Sequence, residues 1–306
     1  MIIPTRDRWT RLRRTLESAL SQIDVNVEVI VVDDGSSDET PTRLSRIGRP
    51  NVHYLRNERP LGLAGARNRG IAAAHGEWLA FLDDDDLWAP WKLRRQVDVA
   101  RAKAASFVYA SAVVIDDDFQ PVKIYEAPAA EDLRSLLVRG NAVPAGASNV
   151  LARAQLVRGI DGFDDRLSQL ADWDLWIRLS RAGRGAPCDE VLVAYLYHRG
   201  NLVLRAAREL WTEFDHVARK NADMARECGT EFDQAGLTYW IASRQAEAGL
   251  RLRAVRSYIH GALAARRPVH LRLAARTLLR GARPANEPAA RIPTPGWLDA
   301  YRRDGA

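Results

Sequence analysis

Trp78-Leu79-Ala80-Phe81-Leu82-Asp83-Asp84-Asp85-Asp86 is an apolar run that ends in four carboxylates. A short continuous apolar run bounded by polar residues reads as a buried strand. Adjacent like charges repel, and a hard divalent ion that takes carboxylate oxygens offsets the repulsion. A solvated acidic turn is the plainer reading of such a run. The sequence on either side decides between the two.

Upstream the same strand-then-polar pattern recurs. Residues 27–32 are β-branched and mostly apolar, and Asp33-Asp34-Gly35-Ser36-Ser37-Asp38 follows as a turn-forming cluster in which Ser37 or Asp38 can cap the next helix. Residues 1–4 and 52–55 read as short strands. Trp9, Leu12, Leu16, Ala19, Leu20 and Ile23 fall at helical spacing, residues 64–74 read as a helix despite Gly65 and Gly70, and residues 77–82 form the strand before the aspartates. A helix is expected over 87–104, with Asp86 as its cap. This β-α-β-α-β-α-β-α order predicts a mostly parallel sheet with helices on both faces. Such sheets bind ligands beyond the carboxyl ends of their strands, where Thr5-Arg6, Asp33-Asp34 and residues 83–86 are expected to converge.

Further on, strands are expected over 106–115, 121–125 and 191–197, and helices over 131–139, 153–158 and 173–182. From residue 205 the pattern is helical and rich in Ala, Arg and Leu. No acidic residue lies between Glu247 and Glu287, a span that holds Arg251, Arg253, Arg256, Arg266, Arg267, Arg272, Arg276, Arg280 and Arg283. Leu271, Leu273, Ala274, Leu278 and Leu279 share a helix face. A basic amphipathic helix of this kind suits an anionic lipid surface, and equally a solvated face of a helical subdomain. The expected domains are 1–204, with halves at about 1–105 and 106–204, a basic helical extension over 205–283, and a Pro-containing, extended tail over 284–306.

The 306 residues carry a net charge of +6, which fits an anionic partner. The two cysteines, Cys188 and Cys228, lie in no metal-ligand spacing and form no disulfide framework, as expected of a reducing compartment. No run of 18 apolar residues occurs and the amino terminus does not read as a signal peptide. A cytoplasmic protein, with the option of resting on a membrane, is the expectation.

In order, Ile2-Ile3-Pro4-Thr5-Arg6, residues 29–38, residues 57–70 (NERPLGLAGARNRG), Phe81-Leu82-Asp83-Asp84-Asp85-Asp86-Leu87-Trp88, Gly162-Phe163-Asp164 and Asp172-Trp173-Asp174-Leu175-Trp176 resemble glycosyltransferase family 2 on a GT-A fold. The resemblance covers roughly residues 1–200. It implies an α/β, Rossmann-like, mostly parallel mixed sheet flanked by helices, followed here by a helical extension. It implies an inverting, metal-dependent transfer of a sugar from a nucleotide-diphosphate donor, with UDP favoured over dTDP, to an acceptor the sequence does not name: a glycan, a lipid carrier, a small molecule or a peptide. Family members carry several residues before the first Ile-Ile-Pro, so a shortened start is also expected.

By the same resemblance, Asp83-x-Asp85 matches the DxD motif. Asp85 is then the direct ligand of Mn2+ or Mg2+, with Asp83 and Asp84 near metal, ribose or phosphate. Asp34 would meet the pyrimidine, Pro4, Thr5 and Arg6 would line the nucleoside pocket, and Arg67 and Asn68 would reach ribose or phosphate. His198 would close the site on metal or phosphate. Asp172 matches the general base, and Asp174 is given a structural role. Family members have Glu before this Asp, where Ala171 stands here. That departure supports a rival reading, a sugar-nucleotide-binding pseudoenzyme or scaffold. A stacking platform is open to Trp88, Trp91, Trp173 and Trp176, with core packing preferred for the last two. Nucleic acid is not expected as a partner, since no recognised motif accompanies the charge.

Overall fold

The structure, a computed structural model, describes residues 1–198, 207–247, 249–264, 269–280 and 292–303. The chain divides into two units, one of residues 1–134, 141–197 and 293–306, the other of 135–140 and 198–292.

In the first unit, β1 (Ile2–Thr5), β2 (Val29–Asp33) and β3 (Val52–Arg56) run parallel, with Thr5 opposite Asp33 and Asp33 opposite Arg56. Helix α1 (Trp9–Leu20) connects the first two, and α2 (Thr40–Leu44) connects β2 to β3. The N-cap of α2 is Glu39 rather than the expected Ser37 or Asp38, and Asp38, one residue earlier, accepts the Thr40 N–H at 2.9 Å. Helix α3 (Gly62–Ala73) leads to β4 (Trp78–Ala80). Phe81 bridges in parallel to Ile2, and the Leu82 N–H donates to the Ile2 carbonyl at 3.0 Å. Gly70 makes room for this packing, because a Cβ there would strike Ile2.

The rest of the sheet is mixed. After β5 (Leu87–Trp88) and α4 (Lys92–Ala102), the fully buried β6 (Phe107–Ile115) organises it. β7 (Pro121–Tyr125) and β8 (Leu151–Arg153) pair antiparallel with β6, while β9 (Gly185–Leu196) runs parallel to it. β4 pairs antiparallel with β8, and β5 with β9. The chain between β7 and β9 holds α5 (Leu133–Arg139), a 3-10 turn (Gly146–Asn149), α6 (Ala154–Gly159) and α7 (Ala171–Ala182). The parallel order expected from the sequence therefore describes the first half, and antiparallel pairs dominate the second.

Four expectations change. Residues 87–88 are strand rather than helix: Leu87 sits opposite Ala194, and Pro90 disfavours a helical Ala89, so α4 begins only at Lys92. Asp86 is accordingly no helix cap. Trp88 is fully buried, donates its indole N–H to the Ser148 carbonyl at 2.7 Å and lies under the Lys92 ammonium, so it offers no stacking platform. Trp173 and Trp176 are core residues, as preferred. Finally, within the expected extended tail residues 296–303 form a turn (Gly296–Leu298) and a short helix (Asp299–Arg303), while residues 284–291 and 304–306 lie outside the described residues. Trp297 and Leu298 join the core beside Leu192 and Ala194, and the Trp297 indole N–H donates to the Val191 carbonyl at 3.0 Å.

The second unit is helical over its described length: α8 (Ala207–Lys220), α9 (Ala222–Glu227), α10 (Gln234–Glu247), α11 (Arg251–Ala264) and α12 (Val269–Arg280). Leu210, Phe214 and Val217 form the buried stripe of α8. Ala242, Tyr258 and Ala274 knit α10, α11 and α12 together. Gly261 permits the close approach, since a Cβ there would collide with Thr238.

Candidate active site

The three polar clusters meet at the carboxyl ends of β1, β2 and β4, as the strand order requires. The Asp34 N–H donates to the Thr5 carbonyl at 2.8 Å, and the Thr5 hydroxyl donates to Asp84 at 2.7 Å. Asp7 accepts from the Ser37 and Asp38 N–H groups at 2.6 and 3.2 Å, which ties the β1 loop to the β2 loop.

The four aspartates play four parts. Asp83 pairs with Arg67, which is nearly fully buried and also faces the Phe163 ring at 5.1 Å. Arg67, expected to reach ribose or phosphate, is thus held on Asp83 from a buried position. Asp84 is turned inward onto the Thr5 hydroxyl and the Arg8 guanidinium, the latter at 3.1 Å. Burial, reinforced by Asp85, pushes its carboxyl up to about 7, against the opposing pull of Arg8. Asp85 also takes Arg8 at 3.1 Å, with Arg11 at 3.9 Å. Asp86 is fully buried; it accepts the Ser148 hydroxyl and, at 3.0 Å, the Leu196 N–H. Burial, then repulsion from Asp85 and Asp83, raises its pKa well above the carboxylate range.

Asp83 and Asp85 are the two members whose side chains keep access to solvent, at 29% and 13%. Their hard oxygens, on one turn, are of the type a divalent cation takes as ligands. Among the described residues no group of three His, Cys, Asp or Glu side chains converges. His198, expected at the metal, is buried in the second unit.

Other expected residues are placed differently. Asp34 accepts from the Asn57 side chain at 2.7 Å and from the Leu61 and Gly62 N–H groups at 2.8 and 2.9 Å, thereby holding the start of α3. A carboxylate offers about four acceptor positions, so one stays open to a base edge. Asn68 spends both ends of its amide on the Phe163 backbone, each at 2.8 Å, and so clamps a loop instead of facing a ribose. Of Pro4, Thr5 and Arg6, the first two are buried and Arg6 alone is exposed.

Asp172 stands in the first turn of α7, half-buried. Its carboxylate accepts from the Trp173 N–H at 2.7 Å and from the Asn141 side chain at 3.0 Å. Burial raises its pKa, Arg67 and the Trp173 N–H oppose the rise, and Asp83 adds to it. The base candidate thus lies within electrostatic reach of the Arg67–Asp83 pair. Asp174 points away, into a buried ion pair with Arg178 at 2.8 Å. Ala171 is buried.

Arg8, Asn141, Gly146 and Ser148 were not singled out by the sequence. Arg8 carries the one local signal, since it follows Thr5-Arg6 at the end of β1; the others touch partners 26 to 65 positions away.

The chain matches Glycosyl transferase family 2 over residues 1–156. It is 42% identical over 112 residues to the succinoglycan biosynthesis protein ExoO of Rhizobium meliloti (strain 1021), covering 37% of this chain and 32% of that protein. To the UDP-Glc:alpha-D-GlcNAc-diphosphoundecaprenol beta-1,3-glucosyltransferase WfaP of Escherichia coli it is 29% identical over 197 residues, covering 64% of this chain and 76% of WfaP. Its alignment thus spans about a third of the first relative and about three quarters of the second. Staphylococcus aureus TarS 1-349 in complex with UDP-GlcNAc shares the fold at a TM-score of 0.59 and 15% identity, over 90% of each chain.

Proposed function

This chain belongs to glycosyltransferase family 2, and from that premise we propose an inverting transfer of a sugar from a UDP-sugar to a hydroxyl of a lipid-linked acceptor at the cytoplasmic face of a membrane. The observation that carries the reading is Asp172: a carboxylate with a raised pKa, aligned by two N–H donors, within reach of the charges at the acidic turn.

As the acceptor oxygen bonds to the anomeric carbon, its proton passes to a carboxylate oxygen of Asp172, and the sugar–phosphate bond breaks on the opposite face, releasing UDP. The Trp173 N–H and Asn141 hold that carboxylate in one orientation. Asp85 and Asp83 would hold Mn2+ or Mg2+, which supplies charge neutralisation to the departing diphosphate. Arg67 keeps Asp83 in place, and Arg8 does the same for Asp85. UDP is favoured because WfaP is named for UDP-Glc and TarS binds UDP-GlcNAc. The diphosphoundecaprenol in the name of WfaP supports a lipid-linked acceptor. Buried Ala171 leaves Asp172 as the sole carboxylate of the pair expected there, and its tuned environment favours an enzyme over a pseudoenzyme.

Asp172→Asn and Asp85→Ala test this with a UDP-sugar panel, manganese and a diphosphate-lipid acceptor. Transfer falls by about 100-fold or more in each, since a positioned base alone contributes 10²–10⁴. Asp172→Asn still gains thermal stability from UDP with manganese, while Asp85→Ala loses that gain. Wild-type turnover in both variants overturns the reading.

A further inference from the structure

The segment 145–149 touches both ends of the site. Ala145 and Gly146 are consecutive left-handed residues, at φ 55° and 50°. A left-handed alanine is strained, and such strain persists only where the surroundings impose it. Here four side chains do so. Trp88 donates to the Ser148 carbonyl at 2.7 Å and Gln96 to the Asn149 carbonyl at 2.8 Å. The Asn149 amide donates to the Ala110 carbonyl at 2.7 Å, and Asp86 holds the Ser148 hydroxyl. The turn is thereby fixed to β5, α4, β6 and the acidic loop together.

From this anchorage the segment reaches two ways. The Ser148 hydroxyl oxygen accepts the Asp83 N–H at 3.0 Å, setting the backbone that carries the donor-side carboxylates. At the other end Gly146 lies against the base: a Cβ there would stand 2.6 Å from Asp172 Oδ2. No ordinary contact is that short, so glycine makes the room in which that oxygen sits.

We propose that this turn is a two-ended positioning element, in which Ser148 sets the Asp83–Asp85 loop for the donor and Gly146 sets the Asp172 carboxylate for the acceptor. Ser148 and Gly146 are positioning residues acting through their neighbours. The inference rests on the assignment of Asp172 as base and of the acidic loop to the donor. It predicts that two residues two positions apart govern different kinetic constants. A Cβ at 146 forces the Asp172 carboxylate to rotate away from Asn141, whereas loss of the 148 hydroxyl frees the Asp83 peptide and leaves the base alone.

The test compares Gly146→Ala, Ser148→Ala and Ser111→Ala. Ser111 is the control, a buried serine whose hydroxyl accepts the Ala127 N–H at 3.0 Å. Gly146→Ala lowers kcat by about 100-fold, the scale of a 1 Å misplacement, and moves the acidic limb of the pH–rate profile, with the donor KM unchanged. Ser148→Ala raises the donor KM by about tenfold, the scale of one hydrogen bond, and leaves that limb in place. Ser111→Ala lowers the melting temperature and changes neither constant. Should Gly146→Ala misfold, Gly146→Asn carries the same Cβ on a residue that tolerates the left-handed backbone. The inference is overturned if all three variants lose activity only in step with lost stability, or if Gly146 variants keep wild-type kcat and pH profile. If Asp172→Asn is itself fully active, the underlying reading has failed instead; an inactive Asp172→Asn beside silent Gly146 and Ser148 variants defeats this inference alone.

Discussion

Asp172 has its pKa set by opposing influences: burial and Asp83 push it up, Arg67 and the Trp173 N–H pull it down. The net direction is upward from an ordinary aspartate value near 3.9. A general base works only when ionised, so activity is lost as pH falls through the raised pKa. The acidic limb of kcat/KM therefore lies above the ordinary aspartate range. Replacing Arg67 with Gln removes a lowering influence and shifts the limb further up, readable in whatever turnover remains. A limb at or below pH 4 in the wild type would contradict this assignment. The acidic run, Asp172 and Arg67 each stand in a local string with a recognisable spacing, which is why the sequence offers them as candidates. Which aspartates face outward was not. Four identical letters conceal that Asp84 and Asp86 turn inward, since Thr5, Arg8 and Ser148, which decide it, lie 62 to 79 positions away. The Asn68 amide likewise has its partner, the Phe163 backbone, 95 positions away, where no local pattern reveals it.

Elements were legible where periodicity and burial agree. β2 and β6 are continuous apolar runs buried on both faces, and α1 shows its stripe at 12, 16 and 19. They failed where tertiary pairing overrides local pattern. Leu87 and Trp88 become strand only because β9 arrives more than a hundred positions later. The tail failed likewise, since proline content hid an anchoring aromatic. Trp297 is 8% exposed, and Tyr301 reaches the Trp88 carbonyl at 3.3 Å. Truncating a buried Trp costs about 3–5 kcal/mol. Trp297→Ala should lower the urea midpoint of the first unit by the equivalent of about 3 kcal/mol, allowing for its partial exposure. An unchanged midpoint would mean that the segment is not docked on β9 in solution.

For the molecule as a whole, we propose that α11 and α12 of the second unit, which carry exposed leucines beside arginines, meet an anionic lipid surface. No helix among the described residues is long and apolar enough to cross a membrane. On α11, Leu252, Arg256, Ile259 and Leu263 fall on the outward stripe, with Leu252 and Leu263 72% and 75% exposed. The opposite face, Ala254, Ser257, Tyr258, Gly261 and Ala262, is the buried one, so this helix is apolar on both sides. Leu271 and Leu278 repeat the arrangement on α12 beside exposed Arg272 and Arg276. Neither helix carries an acidic residue. A solvated face would be expected to mix signs and hide its leucines, whereas an interfacial helix buries them among the headgroups. Each arginine near an anionic leaflet contributes about 1 kcal/mol, so a handful gives a strong preference for charged over neutral vesicles. The protein should therefore co-sediment with phosphatidylglycerol vesicles, weakly with phosphatidylcholine alone, and less as salt rises. Leu252→Glu combined with Leu263→Glu should release it from vesicles while transfer to a water-soluble acceptor continues. Equal sedimentation of the double variant, or binding that ignores lipid charge, would place the function of these helices elsewhere.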